Sequence, residues 1–178
     1  VLAQMGGLMF AALLPEFIEG WQLTHSQAGW LSGIFFGAYA LSVPVLVTLT
    51  DRVPARHVYI SALMVTIASH LGMVFLADGF WSALIWRIAA GVGWAGTYMV
   101  GLRAMSDELS GAAQSRAVSF NAASIGAAGA LSFVVAGLVG GRWGFEAAFA
   151  VAAVSSSIAF VIAVTLFPSG TKPTPAPG

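Results

Sequence analysis

The sequence predicts an all-α integral membrane protein whose core is a bundle of six transmembrane helices. Three observations carry that reading. Hydrophobic residues make up 58% of the 178 and charged residues only 8%, against roughly 45–50% and a quarter in soluble domains, so too few polar groups exist to cover a water-facing surface. The apolar residues fall into six runs, each near the roughly 20 residues that a membrane helix needs. The basic residues collect in the loops on one side of those runs, as the positive-inside rule requires.

The runs are 1–17, 29–50, 58–77, 81–102, 117–140 and 146–167. The first, "VLAQMGGLMFAALLPEF", is the shortest and has neither an initiator Met nor a basic leader; it reads as a span whose start has been trimmed, not as a signal peptide. The second carries Gly29, Gly33 and Gly37 at four-residue steps, a ridge that lets another helix approach closely. The third holds His70, and the fourth holds Arg87 about seven residues from its start, roughly 10 Å deep at 1.5 Å per residue. The fifth repeats the small-residue ridge through Ala122, Gly126 and Ala130, and the sixth opens within "GGRWGFEAAF". Residues 168–178 are Pro-rich and polar and read as a linker or tail.

Arg52 and Arg56 lie between runs two and three, Arg103 and Arg116 between four and five, and Lys172 after six; the other side holds only Arg142 with Glu16, Glu19, Asp78 and Glu146. The 2–3 and 4–5 loops and both termini are therefore expected in the cytoplasm, in a multi-pass protein of the cytoplasmic membrane. Trp21, Trp30, Trp81 and Trp143 fall near the opposite helix ends, where an aromatic belt would sit.

Orientation accounts for Arg52 and Arg56 but not for Asp51, since acids contribute little to it. The stretch "VTLTDRVPARH" resembles the G-x-x-x-D-R-x-G-R-R signature that the major facilitator superfamily of transporters carries between its second and third spans. Asp51, Arg52 and Arg56 match, whereas Val47 and Pro54 replace glycines and Ala55 replaces the first arginine of the pair. "RIAAGVGWAG" resembles the family's R-x-x-x-G-x-G pattern through Arg87, Gly91 and Gly93, and "GLVGGRWGFEAAF" resembles its glycine–tryptophan–phenylalanine opening of span six. The resemblance covers residues 1–167. It implies the amino-terminal half of a twelve-helix fold, built from two inverted three-helix repeats. It also implies alternating access, a cytoplasmic gate at Asp51, Arg52 and Arg56, and a carboxy-terminal half, or a second copy, packed against spans two and five.

The residue types suggest where a solute would pass. An Arg at the depth of Arg87 should face a cavity or a partner, and it favours a small organic anion with a coupling proton. Gly91, Trp94 and Tyr98 follow it on one face, while Gly93 lies on a close-packing ridge opposite. His70 is a candidate proton relay, Glu16 a candidate partner for Arg87, and Gln4 and Asn121 further polar positions on the pathway. Span five lacks the Gly-Pro pair usual in the family's antiporters, which points to a symporter or uniporter.

Other classes are poorly served. Net charge is zero, cysteines are absent and there are three scattered histidines, so no nucleic-acid face, metal site or cofactor is expected. An intramembrane protease needs a G-x-S-G nucleophile and a later His, but "GWLSGIF" lacks that spacing and no His follows His70; no enzyme activity is expected. A non-transporting six-span membrane subunit is the alternative, and it would not require Arg87 at depth.

Overall fold

The computed structural model describes residues 1–166, and the tail expected over 168–178 lies outside the described residues. Among the described residues the chain is helical and has no strand. Its elements are α1 (Met9–Ala12), α2 (Leu14–Gly20), α3 (His25–Leu49), α4 (Ala55–Phe75), α5 (Phe80–Glu108), α6 (Gly111–Val135), a π-helical turn (Ala136–Gly140) and α7 (Gly141–Leu166).

The first apolar run departs from the continuous helix expected over 1–17. Residues 2–8 form successive turns, with Gln4 N donating to Val1 O at 3.0 Å and Gly7 N to Gln4 O at 3.0 Å. Gly6 and Gly7 are adjacent, and each costs a helix about 0.8–1.0 kcal/mol relative to Ala. Pro15 then enters the first turn of α2, where its missing N–H costs no helical bond. The run is thus wound tightly as α-helix only from Met9 onward.

α3 begins at His25, four residues before the expected span, because Thr24 caps it. Gln27 N donates to Thr24 Oγ1 at 3.2 Å and Thr24 N donates to Gln27 Oε1 at 2.9 Å, a reciprocal capping box. α5 continues to Glu108, past the expected end at 102, and α6 starts at Gly111 rather than 117. The extra turns are polar and project beyond the apolar stretch, which hydropathy alone does not mark as helix.

Three segments are long and apolar enough to cross a membrane by length and composition: His25–Leu49, Ala55–Phe75 and the 56-residue Gly111–Leu166. The last is far longer than one crossing requires. Gly144, at φ 84° and ψ 168°, breaks it into two rods, a left-handed conformation suited to glycine. α5 is long enough but carries Arg87 and Arg103, which lower its mean hydropathy.

α5 is the central element, packed along α3 on one side and α4 on the other, while α4 also packs against α7. A β-carbon at Gly91 would meet the Phe35 carbonyl and Ala38 of α3, and one at Gly93 would meet Thr66 and Ala62 of α4. The apolar core lies toward the end opposite Asp51, where Phe10 stacks on Phe17 at 4.6 Å and Phe17 also meets Trp21, Phe145 and Phe149. Trp21 is therefore a packing residue, whereas Trp30, Trp81 and Trp143 are about two-thirds to three-quarters exposed.

Candidate functional site

Arg87 and His70 define a buried polar centre, each only 3% exposed. The Arg87 guanidinium lies between two rings, 4.7 Å from the centroid of Phe10 and 4.5 Å from that of Phe35. Its Nε donates to the Leu31 carbonyl of α3 at 3.1 Å. A cation against two aromatic rings gains from both ring quadrupoles, which offsets part of the cost of burying this charge. The pairing considered for Glu16 is not made here: Glu16 Oε1 accepts from Phe145 N at 3.2 Å, capping the helix that resumes after Gly144.

His70 is held from three sides. Its Nδ1 is 3.4 Å from Ser156 Oγ of α7, its ring lies 6.2 Å from that of Phe149, and Gly6 packs so closely on the imidazole that a β-carbon there would overlap it. The second function of Gly6 is therefore steric, beyond its part in the turns.

Serines of α6 and α7 bond to those turns, two at backbone carbonyls and one at a side-chain amide. Ser155 Oγ donates to Leu2 O at 2.9 Å, Ser132 Oγ donates to Met5 O, and Ser124 Oγ donates to Gln4 Oε1 at 3.2 Å. Gln4 is thus buried and engaged, as a polar side chain inside a membrane bundle must be. The serine clasp was not anticipated from the sequence. Ser124 and Ser132 are eight residues apart on one face of α6, and that spacing is the signal that could have found it.

Trp94 and Tyr98 are half-buried. Trp94 lies 5.0 Å from Phe35 and 5.4 Å from Tyr39, and its buried indole Nε1 has no hydrogen-bond partner among the described residues. Phe35 therefore touches both Arg87 and Trp94, which joins the expected face of α5 into one cluster. Gly91 lies where α5 meets the α3 backbone, with the Phe35 carbonyl nearest to it. Asn121 lies apart from the cluster. With Tyr59, Thr97, Met105 and Ile162 it lines a cavity of about 490 Å³ between α4, α5, α6 and α7, and its Nδ2 has no hydrogen-bond partner among the described residues.

At the end of the molecule that carries Asp51, two arginines join helices. Arg103 Nη2 meets Asp51 Oδ1 at 2.5 Å and its Nη1 donates to the Val47 carbonyl at 2.7 Å. Arg56 Nη2 donates to the Val164 carbonyl of α7 at 2.6 Å. Both arginines reach carbonyls near helix C-termini, where the exposed dipole favours a cation. Arg52 is exposed. Arg103 entered the sequence reading only as an orientation signal. The pattern that pointed to it is an arginine at the end of α5 facing an acid at the equivalent end of α3.

The small-residue ridges of α3 and α6 behave differently from those of α5. At Gly29, Gly33, Gly37 and Gly126 an added β-carbon meets nothing within 4 Å, and all four are exposed. Among the described residues these ridges pack against nothing.

Residues 1–178 match the family model described as Major Facilitator Superfamily. The match runs the length of the chain and takes in the Asp51 stretch, the Arg87 helix and the α7 entry. The chain belongs to the Major Facilitator Superfamily, a family of membrane transporters.

Proposed function

We propose that the chain is the amino-terminal six-span half of a secondary transporter, a bundle of two inverted three-helix repeats, which moves a small solute across the cytoplasmic membrane by alternating access. The observation that carries this reading is the bridge from Arg103 to Asp51 and Val47, which engages the signature acid between two helices at one end of the bundle. In the proposed topology that end is cytoplasmic, and Asp51, Arg52 and Arg56 form its gate. The half-buried face of Trp94, Tyr39 and Tyr98 supplies the pathway wall. A small organic anion with a coupling proton is the solute form that Arg87 and His70 would serve. Both are enclosed here, so they take part directly only in another conformation.

The open ridges at Gly29, Gly33, Gly37 and Gly126 support a partner on α3 and α6, which we assign to a carboxy-terminal half; a second copy is the competing occupant. The reading is tested by uptake of a panel of radiolabelled small solutes in cells lacking the protein. Accumulation of at least one solute should be restored by the complete wild-type protein. Asp51→Asn should insert normally yet restore little. Failure to find any solute whose uptake depends on the protein would refute transport, and full uptake by Asp51→Asn would reduce the stretch to a topology signal.

A further inference from the structure

We propose that the cavity beside Asn121 seats a further helical stretch of the first apolar run, the residues ahead of Val1 in the complete protein, and that Asn121 ties that stretch to α6 through its side-chain amide. This seat depends on the six-span bundle and not on transport, so its failure would leave the uptake test standing.

The walls of the cavity identify the element that belongs in it. Val1, Leu2 and Ala3 form one side of a space of about 490 Å³, and residues of α4, α5, α6 and α7 form the others, with a mostly apolar lining. The first run thus opens into the cavity, and four helices surround the place where it would continue. Protein interiors pack at crystal-like density with few voids larger than a water molecule, so a space of this size calls for an occupant. Water suits it poorly, because a buried water needs about three polar partners.

Asn121 narrows the chemistry of that occupant. Its buried Nδ2 has no hydrogen-bond partner among the described residues, whereas buried polar groups are nearly always bonded. Thr97, which shares the lining, already donates from Oγ1 to the Gly93 carbonyl at 3.0 Å. The unmet need is therefore an acceptor for the Asn121 amide. A hydrocarbon chain offers none. A helix backbone does, because each carbonyl has a second lone pair.

The same face of α6 already holds the first run in this way. Ser132 Oγ donates to Met5 O, and Ser124 Oγ donates to Gln4 Oε1 at 3.2 Å. Earlier donors in α6 thus meet earlier acceptors in the run. Asn121 stands three residues before Ser124, nearly one turn on the same face and about 4.5 Å along the axis. From α7, Ser155 Oγ donates to Leu2 O at 2.9 Å. The next acceptor in this order lies ahead of the residues these serines hold.

Met105 lines the cavity and can carry the probe without a change of shape. The complete protein is made with photo-methionine, a diazirine analogue of methionine, then irradiated in its membrane and digested for mass spectrometry. Cross-links from Met105 should reach peptide ahead of Val1. Cross-links to lipid, to a carboxy-terminal half or to solvent alone would overturn the seat. In detergent micelles, Asn121→Leu, which keeps the volume and loses the donor, should speed amide hydrogen exchange in that peptide about two- to tenfold, with α4 unchanged. Unchanged exchange there, or equal acceleration in α4, would overturn the tie. Asn121→Ala replaces Asn121→Leu if the latter inserts poorly.

Discussion

Alanine at Gly91 is expected to force apart the seam on which the Arg87 cluster depends. A β-carbon there lands on the Phe35 carbonyl oxygen, 2.9 Å from Ala38 Cβ and 3.1 Å from Tyr39 N. The carbonyl and amide belong to a helix backbone and cannot rotate aside, so α3 and α5 must separate. A gap of about 0.5–1 Å forfeits roughly a quarter to a half of each dispersion contact. The same shift would stretch the Arg87 Nε bond to Leu31, now 3.1 Å, toward the limit of a hydrogen bond. Overpacking costs about 1–3 kcal/mol, and alanine returns about 0.8–1.0 kcal/mol of helix propensity. With backbone in the way, a net loss of about 1–2 kcal/mol is expected. Gly33→Ala is the control, because its β-carbon meets nothing within 4 Å; it should gain up to about 1 kcal/mol. Both are measured by reversible SDS unfolding of the 1–178 chain in mixed micelles, followed by tryptophan fluorescence. Equal stability of the two variants would refute the packing argument.

Gly6→Ala should destabilise the bundle by about 1–3 kcal/mol, because the new methyl overlaps the His70 ring; His70→Ala in the same chain should recover part of that loss, and an additive double variant would contradict the contact. Thr24→Ala removes the α3 cap and should cost about 1 kcal/mol in the same unfolding titration. Arg87→Met should hold stability within about 1 kcal/mol, since a buried charge and its compensating contacts are lost together, while solute uptake falls sharply. Unchanged uptake would remove Arg87 from the mechanism.

The apolar helices were legible in the sequence because membrane physics limits the choices. Runs of apolar residues need only counting, and Arg87 at depth demanded compensation whatever its partners. The identity of those partners was not legible. Phe10 and Phe35 read as ordinary apolar residues, and nothing local says that their faces enclose a guanidinium. The turns over residues 2–8 were missed because hydropathy sees "QMGGLMF" as membrane-compatible, while its winding depends on paired glycines and on serines more than a hundred positions away. The Arg103–Asp51 pair was missed for the same reason: the acid and the arginine lie at the ends of different helices, and only packing brings them together. Gly91 and Gly93 were both read as glycines of one helix, yet their opposite neighbours, α3 and α4, decide what each can tolerate.

A single cysteine at Tyr98 in the complete protein, on the half-buried face beside Trp94, labelled by an impermeant maleimide from one side and then the other, tests whether this bundle forms one wall of a pathway open alternately to each side of the membrane. Alternating access predicts labelling from both sides, with conditions that raise one rate lowering the other. Labelling from one side alone, or from neither, in a protein that inserts and folds would contradict it.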